Sequence, residues 1–271
     1  MLFNEVLGRY VDVPDHPTRI VSFSPAITET LFMIGEGENV AGVSAFCARP
    51  AEAVKKRRVG SYNTVRLDLL KELDPDLIFT VTGYQREFAL RLSESWPVYP
   101  LELPVSVAGI IDFVEKVGLV VGNQKRVREL AGQLLRAIPA KRTGAGLRVY
   151  LEIDLGGPVC FGAHSYITDA VRLVGSSSLY EEERCEWLTP DLHSVPGRDP
   201  DVIIYERKMY SSFDDADLLD LMRSRGWGGM RAVETGRCYL TPGPLDFLAH
   251  HGPSFITKAL PWLDAKLGET G

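Results

Sequence analysis

The most constraining feature of this 271-residue chain is an alternation of short apolar stretches and helix-spaced stretches that runs, pauses and starts again. Residues 11–13, 19–23, 40–43, 77–81 and 98–101 suit short strands, while 27–34, 67–73 and 88–95 carry apolar residues at helical spacing. Strands joined through helices cannot pair as hairpins, so the pattern predicts a parallel sheet covered on both faces. The pattern restarts with strands at 147–153, 201–205 and 237–241 and helices at 167–174, 214–223 and 254–267. Asp74-Pro75-Asp76-Leu77-Ile78 in the first half is echoed by Asp199-Pro200-Asp201-Val202-Ile203 in the second. Proline at a strand entrance needs no ladder N–H, which gives the echo a local cause. Together the restart and the echo predict two similar α/β lobes.

Between the lobes, residues 106–139 contain no internal proline, and Val107, Ile110, Ile111, Val114, Val117, Val121, Val127, Leu130 and Leu134 recur at helical spacing. This predicts one long helix with room for a bend at Gly122-Asn123, about 45 Å from end to end at 1.5 Å per residue. The expected organisation is an N-terminal α/β lobe over 1–105, a connecting helix over 106–139 and a C-terminal α/β lobe over 140–271.

Composition excludes several function classes. With 36 acidic against 30 basic residues, a net charge of −6 and a pI near 5.5, the chain lacks the basic footprint of a nucleic-acid binder. No apolar run reaches the ~18–20 residues of a membrane span, so membrane insertion is not expected. The first nine residues lack a basic segment followed by an apolar one, which leaves two placements. The chain is cytoplasmic as written, or it works at the periplasmic or extracellular face after losing an export signal. Cys47, Cys160, Cys185 and Cys238 are far apart and form no Cys-x-x-Cys pair, so free thiols are expected rather than a metal knuckle or redox motif. Gly144 to Gly146 precedes a strand, whereas a dinucleotide fingerprint follows one. There is no phosphate loop, no Gly-x-Ser-x-Gly and no His-Glu-x-x-His, so neither catalysis nor a resident metal is expected.

In parallel sheets, ligands sit beyond the carboxyl ends of the strands. The loops there (24–28, 44–49, 82–86, 102–105, 154–166, 206–212 and 241–251) gather Phe46, Tyr84, Gln85, Arg86, Phe161, His164, Tyr166, Arg207, Tyr210, Phe247, His250 and His251. That mixture suits a large, partly apolar ligand with polar edges. Each residue also has a plainer role. Phe46, Phe161 and Phe247 fit a core, Arg86 fits a solvated helix start, and His250-His251 fit ordinary histidines. Asp214, Asp215 and Asp217 fit favourable charges at a helix N-terminus.

The segments Gly8-Arg9-Tyr10-Val11-Asp12-Val13-Pro14 and Arg19-Ile20-Val21-Ser22-Phe23-Ser24-Pro25-Ala26-Ile27-Thr28-Glu29-Thr30-Leu31-Phe32 closely resemble the opening of the helical-backbone (class III) substrate-binding proteins of ABC importers, the cobalamin- and ferric-siderophore-binding type. Gly42-Val43-Ser44, Val59-Gly60-Ser61-Tyr62, the two Asp-Pro-Asp segments and Gly252-Pro253 continue the resemblance along nearly the whole chain. It implies two Rossmann-like lobes with parallel sheets joined by one long helix, and a non-enzymatic, monomeric binder holding its ligand in the inter-lobe cleft. Carried onto this sequence, the aromatic ligand positions fall on Phe46 and Tyr62, near Cys160-Phe161, and on Phe247. The implied ligand is a corrinoid, ahead of haem or a ferric siderophore, carried rather than kept as a cofactor. The family also docks on its permease through one carboxylate per lobe. The first position resembles Asp68; the second falls on His193 with Asp191 nearby, a departure from the pattern. Arg49, Arg86, Arg207 and Lys208 keep an anionic iron chelate open. So does the fold a different role, a cytoplasmic enzyme or a metal- or tetrapyrrole-handling protein on the same scaffold.

Overall fold

In the computed structural model, which describes residues 1–140 and 146–268 and every side chain among them but that of Tyr84, the chain divides into two units. The first comprises Met1–Pro104, Ile110–Arg136 and His251–Pro253; the second comprises Val105–Gly109, Ala137–His250 and Ser254–Gly271.

The first unit opens on a hairpin, β1 (Leu2–Asn4) and β2 (Arg9–Val11). There follow β3 (Ile20–Ser22), α1 (Pro25–Met33), β4 (Val40–Ser44), β5 (Arg57–Gly60), α2 (Leu67–Leu73), β6 (Leu77–Val81), α3 (Arg86–Leu92) and β7 (Val98–Leu101). Strands β5-β4-β3-β6-β7 form one sheet in that order, every pair parallel, as the alternation requires. Both faces are covered, so β3, β6 and β7 are buried at every position and read as nearly continuous apolar runs, interrupted only by Ser22 and Thr80. Val21, Phe23, Val59, Leu70, Ile78, Phe88 and Val98 pack as one cluster there. Strand β5 was not legible: Arg57-Arg58-Val59-Gly60 buries only its valine, as an edge strand can.

Residues 107–137 depart from the expected single helix. They form α4 (Val107–Val120) and α5 (Gln124–Ala137), separated at Gly122, whose φ of +76° ends the first helix outright. A side chain at Gly122 would also meet the Asp15 carbonyl oxygen at 2.1 Å. Asn123 fixes the corner, its side-chain amide donating to the Ile34 carbonyl (3.1 Å) and the Glu36 carboxylate (2.6 Å). The periodicity was correct on both sides of the break, but it cannot register a left-handed residue between them.

The second unit contains β8 (Arg148–Asp154), β9 (Pro158–Phe161), α6 (Tyr166–Leu173), β10 (Ser177–Ser178), β11 (Trp187–Leu188), α7 (Val195–Arg198), β12 (Val202–Glu206), α8 (Asp215–Ser224), α9 (Arg231–Glu234) and β13 (Cys238–Leu240). A π-helical turn, Phe255–Ala259, leads into α10 (Leu260–Gly268). Here the sheet, ordered β11-β9-β8-β12-β13 with β10 beside β8, is only partly parallel. Strands β8, β12 and β13 run parallel, while β9 turns back on β8 and β11 on β9. Leu155-Gly156-Gly157 is too short for a crossover, so β9 must be antiparallel. This corrects the expectation of a wholly parallel second sheet and of a loop throughout 154–166.

The Asp-Pro-Asp echo is structural. Asp74 and Asp199 both end a helix in the left-handed region, at φ of 45° and 38°. The second aspartate of each then holds the start of the neighbouring strand. Asp76 accepts from the Arg19 amide at 3.0 Å, and Asp201 accepts from the Arg148 amide at 2.7 Å. The residues that were expected only to open a strand also set its register against the next.

Helix α8 begins with a reciprocal cap. The Asp214 carboxylate accepts from the Ala216 and Asp217 amides (2.8 and 3.0 Å), and Asp217 accepts in return from the Asp214 amide (2.9 Å). Asp214→Ala is therefore expected to cost about 1 kcal/mol. Chemical denaturation would detect it as a lower midpoint at unchanged slope; an unchanged midpoint would refute the cap's contribution.

Candidate functional site

The carboxyl ends of β3, β4 and β6 meet the N-terminus of α1 in the first unit, and Ser24 caps that helix through its hydroxyl. Beyond β4 the chain turns through Ala45-Phe46-Cys47. Phe46 lies flat against Tyr62, ring centroids 4.3 Å apart and planes 12° from parallel. Both rings are half-buried, so the pair forms an aromatic surface that is anchored yet partly accessible.

Two residues hold this pair in place. Arg58 donates through Nη1 to the Ser44 and Ala45 carbonyls, both at 2.9 Å, fixing the turn that carries Phe46. Gln85 is buried, and its amide makes three bonds to three segments. Its oxygen accepts from the Val81 amide (2.9 Å), and its nitrogen donates to the carbonyls of Phe23 (3.1 Å) and Tyr62 (2.8 Å). Gln85 was among the strand-end loop residues expected near a ligand, without this positioning role, and Arg58 was not singled out from sequence. Below the pair, the Cys47 thiol is enclosed with the hydroxyls of Thr28 (3.1 Å) and Ser44 (3.2 Å). Burial pushes its pKa up against the pull of those hydroxyls, which favours the thiol over the thiolate. Arg86 and Asp68 are exposed in the first turns of α3 and α2. Tyr84 lies on the short turn Gly83–Gln85, its side chain outside the described residues.

In the second unit the carboxyl end of β12 organises the neighbouring loop. The Glu206 carboxylate is fully buried and accepts from the amides of Leu248 and Ala249. Burial pushes its pKa up to about 7, with the Asp246 charge adding to the effect and the amide bonds opposing it. An acidic residue closing the apolar run Val-Ile-Ile-Tyr-Glu was the available signal for this residue, and the loop reading did not single it out. Arg207 is a brace, donating through one Nη to the Phe213 carbonyl and through the other to the Gly243 carbonyl at 2.6 Å. Those bonds give it a structural role in addition to the ligand-facing one expected from sequence. Tyr166, also expected near the ligand, has structural partners as well. It is buried, with its hydroxyl donating to the Leu248 carbonyl (2.9 Å) and its ring edge-on to Phe255.

Phe247 is half-buried and edge-on to Trp262, with centroids 5.6 Å apart. Phe161 is half-buried on β9, directly across from Trp187 on β11. His164 is exposed, while His250 is buried with Nδ1 3.7 Å from an Asp246 oxygen. Asp191 is exposed and accepts from the His193 amide (3.1 Å), a local turn bond. Among the described residues, no group of three or more His, Cys, Asp or Glu is placed to hold a metal ion. A cavity of about 630 Å³ lined by Asp169, Arg172, Ser176 and Glu181 lies at the amino end of β8, the opposite end of that sheet from these loops. The sheet rule therefore favours the aromatic loops over the cavity.

The sequence profile of the periplasmic binding protein family matches residues 20–245. A vitamin B12-binding protein of Yersinia pestis is 23% identical over 192 residues, covering 69% of this chain and 68% of that one. Among solved structures, the periplasmic vitamin B12 binding protein of Vibrio cholerae superposes with a TM-score of 0.74 at 18% identity, covering 93% of this chain and 96% of that one. The periplasmic heme-binding protein of Roseiflexus sp. RS-1 superposes at 0.75 with 20% identity, covering 92% and 97%.

Proposed function

The chain belongs to the periplasmic binding protein family, and from that premise we propose that it is the solute-binding component of an ABC-type importer whose ligand is a corrinoid or a related tetrapyrrole. The observation that carries this reading is the Phe46–Tyr62 stack at the carboxyl end of the first sheet. A flat, anchored aromatic surface favours a ligand with a broad apolar face, and the adjoining backbone and hydroxyl groups suit polar edges. Relatives named for vitamin B12 and heme support the same class. An anionic iron chelate is the weaker reading. Arg207, one of the four basic residues that would meet its charge, donates instead to backbone carbonyls, while Arg86 and Lys208 are exposed and keep it as the second reading.

The working location that follows is the periplasmic or extracellular face, with Asp68, exposed on α2, as the first-lobe contact for a permease. The enzyme alternative has less support. The reading of the sequence found no catalytic motif, and the relatives are binding proteins by name.

Titration with cyanocobalamin, cobinamide, haemin and ferric siderophores, followed by absorbance and thermal shift, tests the reading. A ligand at a hundred times its Kd adds about 2.7 kcal/mol to the folded state, a readily measured rise in Tm. We expect a tetrapyrrole to bind, and Phe46→Ala and Tyr62→Ala each to weaken it about tenfold, the equivalent of ~1.4 kcal/mol. Binding only by siderophores, or unchanged affinity in both variants, would overturn the ligand assignment.

A further inference from the structure

The segment following β12 grips the 243–249 loop at four backbone points. Glu206 accepts from the Leu248 and Ala249 amides, Arg207 donates to the Gly243 carbonyl, and the Tyr210 amide donates to the Pro244 carbonyl at 2.7 Å. Arg207 also closes its own loop onto Phe213, and the Ser211 hydroxyl accepts from the Phe213 amide at 3.2 Å. Two loops at the carboxyl end of one strand are thus tied together, and one of them carries Phe247.

Tyr210 stands out within this brace. Its φ is +62°, in the left-handed region that glycine and asparagine occupy readily and a bulky side chain does not. The residue is 64% exposed, so burial does not repay the conformation. A residue that serves only the turn would be replaced here by asparagine or glycine with a gain in stability. Strain of this kind, at the end of a parallel strand where ligands bind, points to a function for the side chain.

We propose that Tyr210 is a ligand-contact residue, presented by the braced 207–213 loop alongside the Phe247 loop, and that its ring supplies an aromatic face for the apolar side of the ligand. The proposal rests on the binding function above and adds a residue to it. Its chemistry is ring stacking rather than hydrogen bonding, which separates the roles of ring and hydroxyl.

The test uses the full chain with cyanocobalamin and haemin as probes, measuring Kd by absorbance and Tm without ligand. Tyr210→Asn, which keeps a residue able to adopt the left-handed conformation, is expected to raise the ligand-free Tm by about 2 °C. It should also weaken the probe that binds the parent protein by about tenfold. Tyr210→Phe, which keeps the ring, should hold affinity within about threefold and leave Tm unchanged. A Tyr210→Asn protein with parental affinity overturns the proposal and leaves the binding function intact. So does a Tyr210→Asn protein whose Tm fails to rise, since the strain argument then fails. A parent protein that binds neither probe rejects the tetrapyrrole reading itself and this inference with it.

Discussion

Replacing Arg225 with methionine is expected to lower the unfolding free energy by about 3–5 kcal/mol, the usual cost of stranding one partner of a buried ion pair. Arg225 meets Glu152 through two parallel bonds of 2.7 and 2.8 Å, and Glu152 is only 1% exposed. The Tyr150 hydroxyl donates to the same carboxylate at 2.5 Å, and the guanidinium lies over the Trp227 ring, 5.0 Å from its centroid. These rings, with Cys160, Tyr180, Ile203, Tyr205 and Met222, form the core of the second unit. Methionine could fill the volume of the arginine stem. It could not neutralise Glu152, which would keep one donor in a site closed to water. Pairing Arg225→Met with Glu152→Gln removes the stranded charge, so the double variant should be more stable than Arg225→Met alone. That non-additivity would mark a direct interaction. Denaturant unfolding of the parent, both single variants and the double variant measures it. A loss below about 1 kcal/mol in Arg225→Met, or strictly additive changes, would show that the pair is not coupled as the geometry requires.

The same region illustrates what a sequence discloses. Strand β8, as Arg-Val-Tyr-Leu-Glu-Ile-Asp, was legible from its length and apolar weight, yet nothing in that pattern marks Glu152 as buried. Its partner lies 73 residues away, at the end of α8. Local periodicity carries information about neighbours in the chain, and so it located nearly every buried strand and long helix. It missed β5, β9 and β11, whose pairing depends on a partner strand or on a hairpin turn. It located a bend at Gly122-Asn123 but not the complete break there, for a related reason, since the contact with Asp15 that accompanies the turn comes from more than a hundred residues away.

The site divides in the same way. The rule that ligands sit at the carboxyl ends of parallel strands selects loops that local sequence marks by position, and the structure stacks Phe46 on Tyr62, two positions carried over from the family resemblance. The positioning groups were harder. A clamp such as Gln85 is defined by three carbonyl and amide partners in three segments, and any glutamine in a loop looks the same in sequence. Arg207 and Tyr166 show the converse. Their chemistry suits a ligand, but folding directs their polar atoms to the backbone.

Glu206 leads to the second large effect, a dependence of stability on pH. The unfolded chain ionises this carboxyl near its ordinary value of 4.5, whereas burial holds the folded protein's carboxyl protonated until about pH 7. Between these limits the folded state binds more protons than the unfolded state, so stability falls as pH rises. The contribution is complete below about pH 4.5 and is lost through pH 7, amounting to about 3 kcal/mol across the interval. Amide donors from Leu248 and Ala249 favour the carboxylate, but burial with Asp246 close by outweighs them. Glu206→Gln keeps an acceptor for those amides and has no charge to bury. Measured against the parent at each pH, its relative stability should therefore rise by about 3 kcal/mol between pH 4.5 and 8, other titrating groups being common to both proteins. A difference that stays flat across that range would place the Glu206 pKa back among ordinary carboxylates. Because the same carboxylate holds the backbone beside Phe247, the parent should also resist proteolysis of the 243–249 loop less well at pH 8 than at pH 5, and Glu206→Gln should lose that contrast.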